Sequence, residues 1–300
     1  MAVGLWETAL VMHARRAGAS LTDFLMLGRQ SLALSPDMLE HLFACYGTDL
    51  RGIDWNAKTW AEPLFEQLGA GRVESLDFSD YEGARLIHDM NRPWPEGRPP
   101  EQFDVVFDGG TLEHVFNLPQ ALLNAMDLVR PGGCLLSVSP ADGWLGHGFY
   151  QPQPELFFRF LTPENGFRLD GLWLAEFGPP PAKSRLFRLK DPAVSGCRPL
   201  VPGRRPLVML VHATKLAERT GSPAWPGQSN YTAMWSEAAA GATPAGSRSF
   251  LKRLLQAALP ESLTLPVKRW RQRRHHARLA RGAWQEVRLL EAPSATGPNA

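Results

Sequence analysis

The chain reads as an α/β protein, an open and mostly parallel sheet with helices on both faces, and three observations predict it. Residues 103–140 hold a complete strand, helix, strand unit in one short window. Short apolar runs recur upstream at 23–27, 73–77 and 84–89, and the last two end in a carboxylate. Two further runs, 167–176 and 207–214, follow the central unit and complete the set. Apolar runs of this length bounded by turn residues suit strands buried on both faces of a parallel sheet.

Within the central unit, residues 103–107 are apolar apart from Asp104 and are closed by Asp108-Gly109-Gly110. The carboxylate and glycines thus fall at the C-terminal end of a strand, the edge where open α/β sheets bind ligands. Residues 118–129 carry Leu122, Leu123, Met126 and Val129 at helical spacing, and Arg130-Pro131-Gly132-Gly133 stops that helix with a cation, a breaker and flexible glycines. A strand at 135–138 follows, and a right-handed crossover sets it parallel to the first.

On these residues, 103–138, the chain resembles the class I S-adenosylmethionine-dependent methyltransferases, with a degenerate glycine-rich motif I upstream. The resemblance implies a Rossmann-like seven-stranded sheet centred on Leu25, Val73, Leu86, Val105, Leu135, Leu172 and Val208, the final pair making an antiparallel edge, and it implies S-adenosyl-L-methionine as cofactor. By the same resemblance Asp77 holds the two ribose hydroxyls, Asp89 with Met90 lines the adenine, and Asp108 with Gly109 lines the methyl end. A carboxylate has two acceptor oxygens for the two donors of a ribose diol, and a soft thioether wall suits a purine face. The plainer alternative is that Asp77, Ser79 and Asp80 only cap a helix or build a turn.

Gly28-Arg29-Gln30-Ser31 occupies the turn after the first strand, where the family carries three spaced glycines, and only Gly28 remains. Those glycines let backbone approach the ligand, so Arg29 and Gln30 either change how the amino-acid end is held or block it. Arg29 either pairs with the cofactor's carboxylate as a fork or folds outward into water. The stretch from Gly28 to Asp77 exceeds the usual spacing of about twenty residues. Helical patterns at 36–46 and 60–68, joined by a loop at 47–56, account for the excess as a partial lid or as a thicker helical layer.

Residues 142–151, DGWLGHGFYQ, form a glycine-rich loop at the ligand edge, where loops carry chemistry more often than packing. Methyltransferase-like proteins encoded among surface-polysaccharide functions share a similar Gly-His-Gly-Phe-Tyr loop, which extends the resemblance. Methyl transfer is an in-line displacement at a sulfonium carbon, so positioning dominates and a base is needed only for hydroxyl-type acceptors. His147 and His114 are the candidate bases, with Tyr150 and Glu113 as orienting groups. Glu113 could instead complement a helix dipole and His114 bond a neighbouring loop. His88, inside a strand pattern, is expected to face a neighbouring strand or the helix layer.

The 300 residues carry a net charge of +2, which hides an asymmetry: residues 250–291 hold ten Lys and Arg against three Glu. Trp270, Leu279, Trp284, Val287 and Leu290 interleave with those charges, so this segment either lies on an anionic membrane surface or is a solvated helix against the domain. The expected organisation is a methyltransferase-like domain at 1–216, a loosely ordered linker at 217–249, and a basic, partly helical tail at 250–300 with a disordered end. Cys45, Cys134 and Cys197 have no CxxC or metal-ligand spacing, so no disulfide framework and no metal site is expected. The chain has Glu7 within its first apolar stretch and Arg15-Arg16 after it, the wrong order for a secretory signal, and a cytoplasmic location, peripheral to the inner face of a membrane through the tail, is expected.

The leading expectation is therefore a methyltransferase acting on a small-molecule or glycan-like acceptor. A catalytically silent binding or scaffold protein of the same fold is the alternative, favoured by the degraded glycine turn. Nucleic-acid modification ranks last, because Asp108-Gly109-Gly110-Thr111 stands where base-modifying amino methylases often carry an NPPY-like tetrapeptide.

Overall fold

A computed structural model describes residues 2–50, 60–178, 183–196, 199, 201, 205–229, 231–232 and 282–287. In chain order these form β1 (Ala2–Val3), α1 (Leu5–Arg16), β2 (Asp23–Leu27), β3 (Ser31–Leu32), α2 (Pro36–Tyr46), α3 (Glu62–Gln67), β4 (Arg72–Asp77), β5 (Leu86–Ile87), β6 (Phe103–Asp108), α4 (Leu118–Leu128), β7 (Val129–Asp142), α5 (Pro154–Phe160), β8 (Phe167–Glu176), β9 (Leu186–Leu189), α6 (Pro192–Ser195), β10 (Leu207–Lys215) and β11 (Trp284–Val287).

The main sheet runs in the order β11-β9-β8-β10-β7-β6-β2-β4-β5. Strands β7, β6, β2, β4 and β5 pair in parallel, and β10 runs antiparallel to both β7 and β8. All seven expected strand centres lie in this sheet, and β8 and β10 form the expected antiparallel pair, but inside the sheet and not at its edge. The expected count of seven is corrected to nine among the described residues, because β9 and β11 extend the sheet beyond β8. The switch in strand order falls between β2 and β6, so the crevice at their C-terminal ends is the natural ligand edge.

Strand β6 is buried along its whole length, as its apolar run requires. On one face Phe24, Val105, Phe107, Leu136 and Leu210 pack with residues of α1, α2 and α3 in a single cluster. Phe65 of α3 stacks on Phe24 at 4.4 Å between ring centroids and meets Phe107 edge-on at 5.3 Å. The opposite face, reached by the alternate residues Leu25, Val106 and Leu135, is covered by α4. Helix α2 contributes Leu42 and Tyr46 to the core, so the extra length before β4 thickens a helical layer.

Two local expectations change. The strand expected at 84–89 is only Leu86–Ile87, because the His88 ring leaves it to stack on Trp94 at 3.9 Å, with its Nε2 3.1 Å from the Arg92 carbonyl oxygen. The Arg130–Gly133 stretch ends the helix as expected but belongs to an irregular strand start: Phe103 pairs with Val129 and Val105 with Cys134, leaving the intervening residues as a bulge. Gly133 is required there, since a Cβ would lie 2.6 Å from the Asp104 carbonyl oxygen.

The chain divides into two compact units, Met1–Arg188 with Gly203–Ala224 and Glu286–Ala300, and Leu189–Pro202 with Trp225–Gln285. The first contains the sheet edge described below; in the second, the described part includes α6, capped by the Asp191 side chain on the Ala193 N–H at 2.8 Å. The expected linker beyond residue 232, most of the basic tail, the terminal segment, most of the expected 47–56 loop and Cys197 lie outside the described residues. Among the described residues no helix is long and apolar enough to cross a membrane.

At the opposite edge from the site, Arg130 fastens strand starts together, its Nη2 2.6 Å from Asp23 Oδ2 and its Nη1 3.2 Å from Asp104 Oδ1. Arg130, and then Arg72, hold the Asp23 carboxyl below the usual carboxylate range. A depressed folded value contributes stability above the unfolded value that is lost as pH falls through the folded one. Arg130→Ala is expected to lower unfolding stability by about 1 kcal/mol at neutral pH, a figure reduced for solvent exposure. In urea titrations at neutral pH and at about pH 2, the gap between parent and variant should shrink in acid.

Candidate functional site

The site begins with Asp108, the last residue of β6. Its side chain is fully buried and accepts from Ser137 Oγ at 2.7 Å, Thr111 N at 2.8 Å and Leu112 N at 3.2 Å. Burial pushes its carboxyl up, and those three donors oppose the shift. These bonds fold the chain into a short 3-10 turn, Leu112–His114, that presents Glu113 inward. The Glu113 carbonyl oxygen then accepts from Phe149 N at 2.9 Å and Tyr150 N at 3.2 Å, which clamps the loop after β7 onto the loop after β6. Tyr150 reinforces the clamp by donating its hydroxyl to the Phe116 carbonyl at 2.7 Å.

Beside this clamp lies a cavity of about 340 Å³. Leu5, Trp6, Met38, Val138, Trp144, Phe177 and Val208 make its walls largely apolar, and Glu7, Glu113, Ser139 and His147 give it polar points. Gly109 and Gly110 form part of the wall at the end of β6. The Glu113 carboxyl is 1 % exposed, and neither of its oxygens has a hydrogen-bond partner. Burial, and then the nearby Asp108, push it up to about 8. His147 Nε2 stands 3.6 Å from Glu113 Oε1, beyond hydrogen-bond reach. The His114 ring is 5.0 Å from that of His147, and burial followed by that neighbour pushes His114 down.

The four residues expected to carry chemistry are thus brought together, His147, His114 and Glu113 as one cluster and Tyr150 as a brace that does not line the cavity. Of the expected cofactor residues, Gly109 lines it. Asp108 does not, and its carboxyl builds the loop. Asp77 sits half-buried at the end of β4, its Oδ1 accepting from the Phe78 N–H at 2.6 Å. Asp89 accepts from both the backbone and the side chain of Asn91 at 3.0 and 2.9 Å, bonds that hold its carboxyl below the usual range. It closes a local turn, while Met90 beside it is buried.

The turn after β2 departs furthest from a glycine cradle. Gly28 has φ of +69°, and a Cβ there would lie 2.9 Å from Thr111 Oγ1, so this one glycine is demanded by the backbone. Arg29 folds away, its Nε 2.7 Å from Glu62 Oε1, its Nη1 donating to the Glu82 carbonyl at 2.7 Å, and its guanidinium 4.6 Å above the Trp60 ring. Gln30 folds inward and is fully buried. Its amide donates to the carbonyls of Leu27 and Gly28 at 3.1 and 3.3 Å, and it packs against Gly109.

Sequence reasoning missed three contributors. Glu7 appeared only as a charge within an apolar stretch, yet it is half-buried, lines the cavity, and accepts from the Gly4 N–H at 3.0 Å; desolvation pushes its carboxyl up. The Gly-x-x-Glu spacing of a capping arrangement is the signal that could have found it. Trp144 forms a wall and donates its ring N–H to the Leu207 carbonyl at 2.8 Å. The third contributor is a ligand-capable group where none was expected: donor atoms of Glu113, His114 and His147 all lie within 4.8 Å of one another.

No protein-family model matches the chain, and no curated relative does. Among solved structures it is similar to a SAM-dependent methyltransferase from Thermotoga maritima, at 13 % identity over 71 % of this chain and 90 % of the other, with a TM-score of 0.39. Similarity also extends to S-adenosylmethionine-dependent methyltransferases from Mesorhizobium loti, at 14 % identity over 67 % and 95 % with a TM-score of 0.35, and from Clostridium acetobutylicum, at 9 % over 71 % and 74 % with a TM-score of 0.28. Likeness at this level says nothing of what this chain binds or does. The strand order and the antiparallel β7-β10-β8 pairing define by themselves an open, mixed α/β sheet.

A carboxyl raised by folding destabilises the native state as pH climbs from its unfolded value toward its folded one. Glu113→Gln keeps the shape and removes that titration. In calorimetric melts with chelator present, the variant is expected to melt above the parent by a margin that widens up to about pH 8, the value to which Glu113 is raised. A margin independent of pH would show that the carboxyl is not raised.

Proposed function

We propose that the chain is a methyltransferase that takes its methyl group from S-adenosyl-L-methionine and passes it to a small, mainly apolar acceptor held in the cavity beside Glu113 and His147. The observation that carries this reading is the apolar cavity with a buried, unpartnered acid and an adjacent imidazole at the ligand edge of the sheet. Apolar walls with a few polar points suit a compact ring or chain bearing one reactive group. A glycan would leave its many hydroxyls unpaired against Trp6, Trp144 and Phe177, each at a desolvation cost.

The residues fit the two halves of the cofactor unequally. Asp77, at the end of β4, has the carboxylate and the exposure needed for a ribose diol. At the amino-acid end, Gln30 fills the space beside Gly109 and Arg29 is committed to Glu62, so that end is not cradled as a glycine turn would cradle it. Bound cofactor would supply an electrophilic methyl carbon. The chain's own part is to exclude water with the apolar walls, to orient the acceptor, and to receive the acceptor's proton on the imidazole of His147 or His114.

Gln30 also favours a second reading, a silent protein that keeps the fold for binding alone. The location of the protein, and any attachment of its basic tail to an anionic membrane surface, belong equally to either reading.

Calorimetric titration with S-adenosylmethionine and S-adenosylhomocysteine separates the two. Binding is expected, and Asp77→Ala should weaken it about 10- to 100-fold by removing charge-assisted bonds worth roughly 1.5 to 3 kcal/mol each. Gln30→Gly should tighten it by opening the turn. Folded protein that binds neither compound, as parent and as Gln30→Gly, would establish the silent reading.

A further inference from the structure

We propose that Glu113, His114 and His147 form a binding site for a divalent transition-metal ion at the edge of the cavity. The inference goes beyond methyl transfer and does not depend on it; with an ion bound, the two imidazoles are ligands and no longer proton acceptors. Three donor groups of the two types that such ions prefer, imidazole nitrogen and carboxylate oxygen, converge with their atoms within 4.8 Å of one another.

A second observation points independently to a ligand. The Glu113 carboxyl is 1 % exposed, and both of its oxygens lack a hydrogen-bond partner. Native proteins rarely leave a buried carboxyl in this condition. Among the described residues no Lys or Arg pairs with it, and the one titratable group in ion-pair range is His147. A cation between the acid and the two imidazoles would supply the missing partner.

The geometry is close to what a cation needs. Ligand bonds of about 2.1 Å in a tetrahedral site place neighbouring donor atoms about 3.4 Å apart. His147 Nε2 and Glu113 Oε1 stand at 3.6 Å, so drawing in His114 completes three ligands. That movement is available, because His114 is exposed on its 3-10 turn. The pair that is already close is held by the backbone: Phe149 and Tyr150 donate to the Glu113 carbonyl oxygen, which fixes the His147 loop on the turn bearing its partner ligand. Gly148, at φ of +68°, permits this approach, since a Cβ would lie 3.0 Å from that same oxygen.

Three protein ligands leave at least one coordination position free, as in catalytic rather than structural sites. Glu113 and His147 line the cavity, so an ion held by them borders the space offered to a small molecule. A nitrogen-rich set of one carboxylate and two imidazoles selects zinc, iron or manganese over magnesium or calcium, and zinc over manganese in affinity.

The test is calorimetric titration of chelator-treated full-length protein with Zn²⁺, Mn²⁺ and Mg²⁺ salts, without any other ligand. Zinc is expected to bind at one equivalent more tightly than manganese, with no magnesium binding. Glu113→Gln and His147→Ala should each weaken zinc by more than about tenfold, the scale at which even outer-shell partners act, while His41→Ala, at the His41–Cys45 pair on α2, should leave this site unchanged. His147 is on an exposed loop, so its variant folds normally by circular dichroism. Absence of zinc binding, or binding undiminished in His147→Ala, would overturn the proposal. Either result leaves the S-adenosylmethionine titration untouched, so the two readings fail separately.

Discussion

Asp108 is the constraint from which the candidate site follows. A fully buried carboxylate is expensive unless its lone pairs are met, and here two backbone N–H groups and the Ser137 hydroxyl meet them. The bonds join the end of β6 to β7 and bend the following residues into the turn that carries Glu113 and His114. Once that turn is fixed, the Glu113 carbonyl becomes the acceptor on which the next loop closes. Without Asp108 there is no defined place for Glu113, and without Glu113's backbone there is no defined place for His147. One side chain at a strand end thereby organises two loops that meet only through tertiary structure.

Much of the sheet was legible because the signals were local. Residues 23–27 and 167–176 coincide with β2 and β8, since each is an apolar run closed by turn residues. Residues 36–46 coincide with α2, opened by Ser35 and proline and closed by Gly47 at φ of +69°. What failed was decided by side-chain contacts at a distance. The expected strand at 84–89 is cut short by the His88–Trp94 stack, and Asp89, which looked like an adenine ligand, closes on Asn91. Strand β9 is a short apolar run set among prolines and arginines between β8 and β10, a composition that does not announce a strand.

The candidate site was legible by residue and illegible by arrangement. His147, His114, Glu113 and Tyr150 could be chosen because they follow strand ends, and the structure puts the first three in one cluster. Nothing in their spacing announced ligand geometry, since metal patterns in sequence rely on donors sharing one helix or loop, and these come from two. The direction of Gln30 was equally hidden. Sequence shows that a glycine is missing from the turn after β2, but only packing decides whether the replacement turns out to water or, as here, in against Gly109.

Gln30 and Glu113 lie on either side of the same short glycine segment, and the contrast between them locates the chemistry. At the Gly28 turn each polar side chain is anchored: Arg29 by Glu62 and Glu82, the Gln30 amide N–H by two carbonyls, the Thr111 hydroxyl by the Leu27 carbonyl. Among the described residues, the Gln30 carbonyl oxygen and Glu62 Oε2 are left over there, each on a side chain whose other polar atom is bonded. On the far side of Gly109 and Gly110, both oxygens of Glu113 are unmet and face a cavity with room for a ligand. A fold stabilises itself by satisfying buried polar groups, so the end whose side chains are each anchored behaves as structure and the end with a wholly unmet carboxyl as a place kept for something else. Displacing Gln30 would sacrifice two hydrogen bonds, whereas filling the space beside Glu113 would sacrifice none and gain the partner that the carboxyl lacks. The stronger claim to a ligand therefore lies with the β6 and β7 loops, and any cofactor that also needs the β2 turn must compete with Gln30 for it.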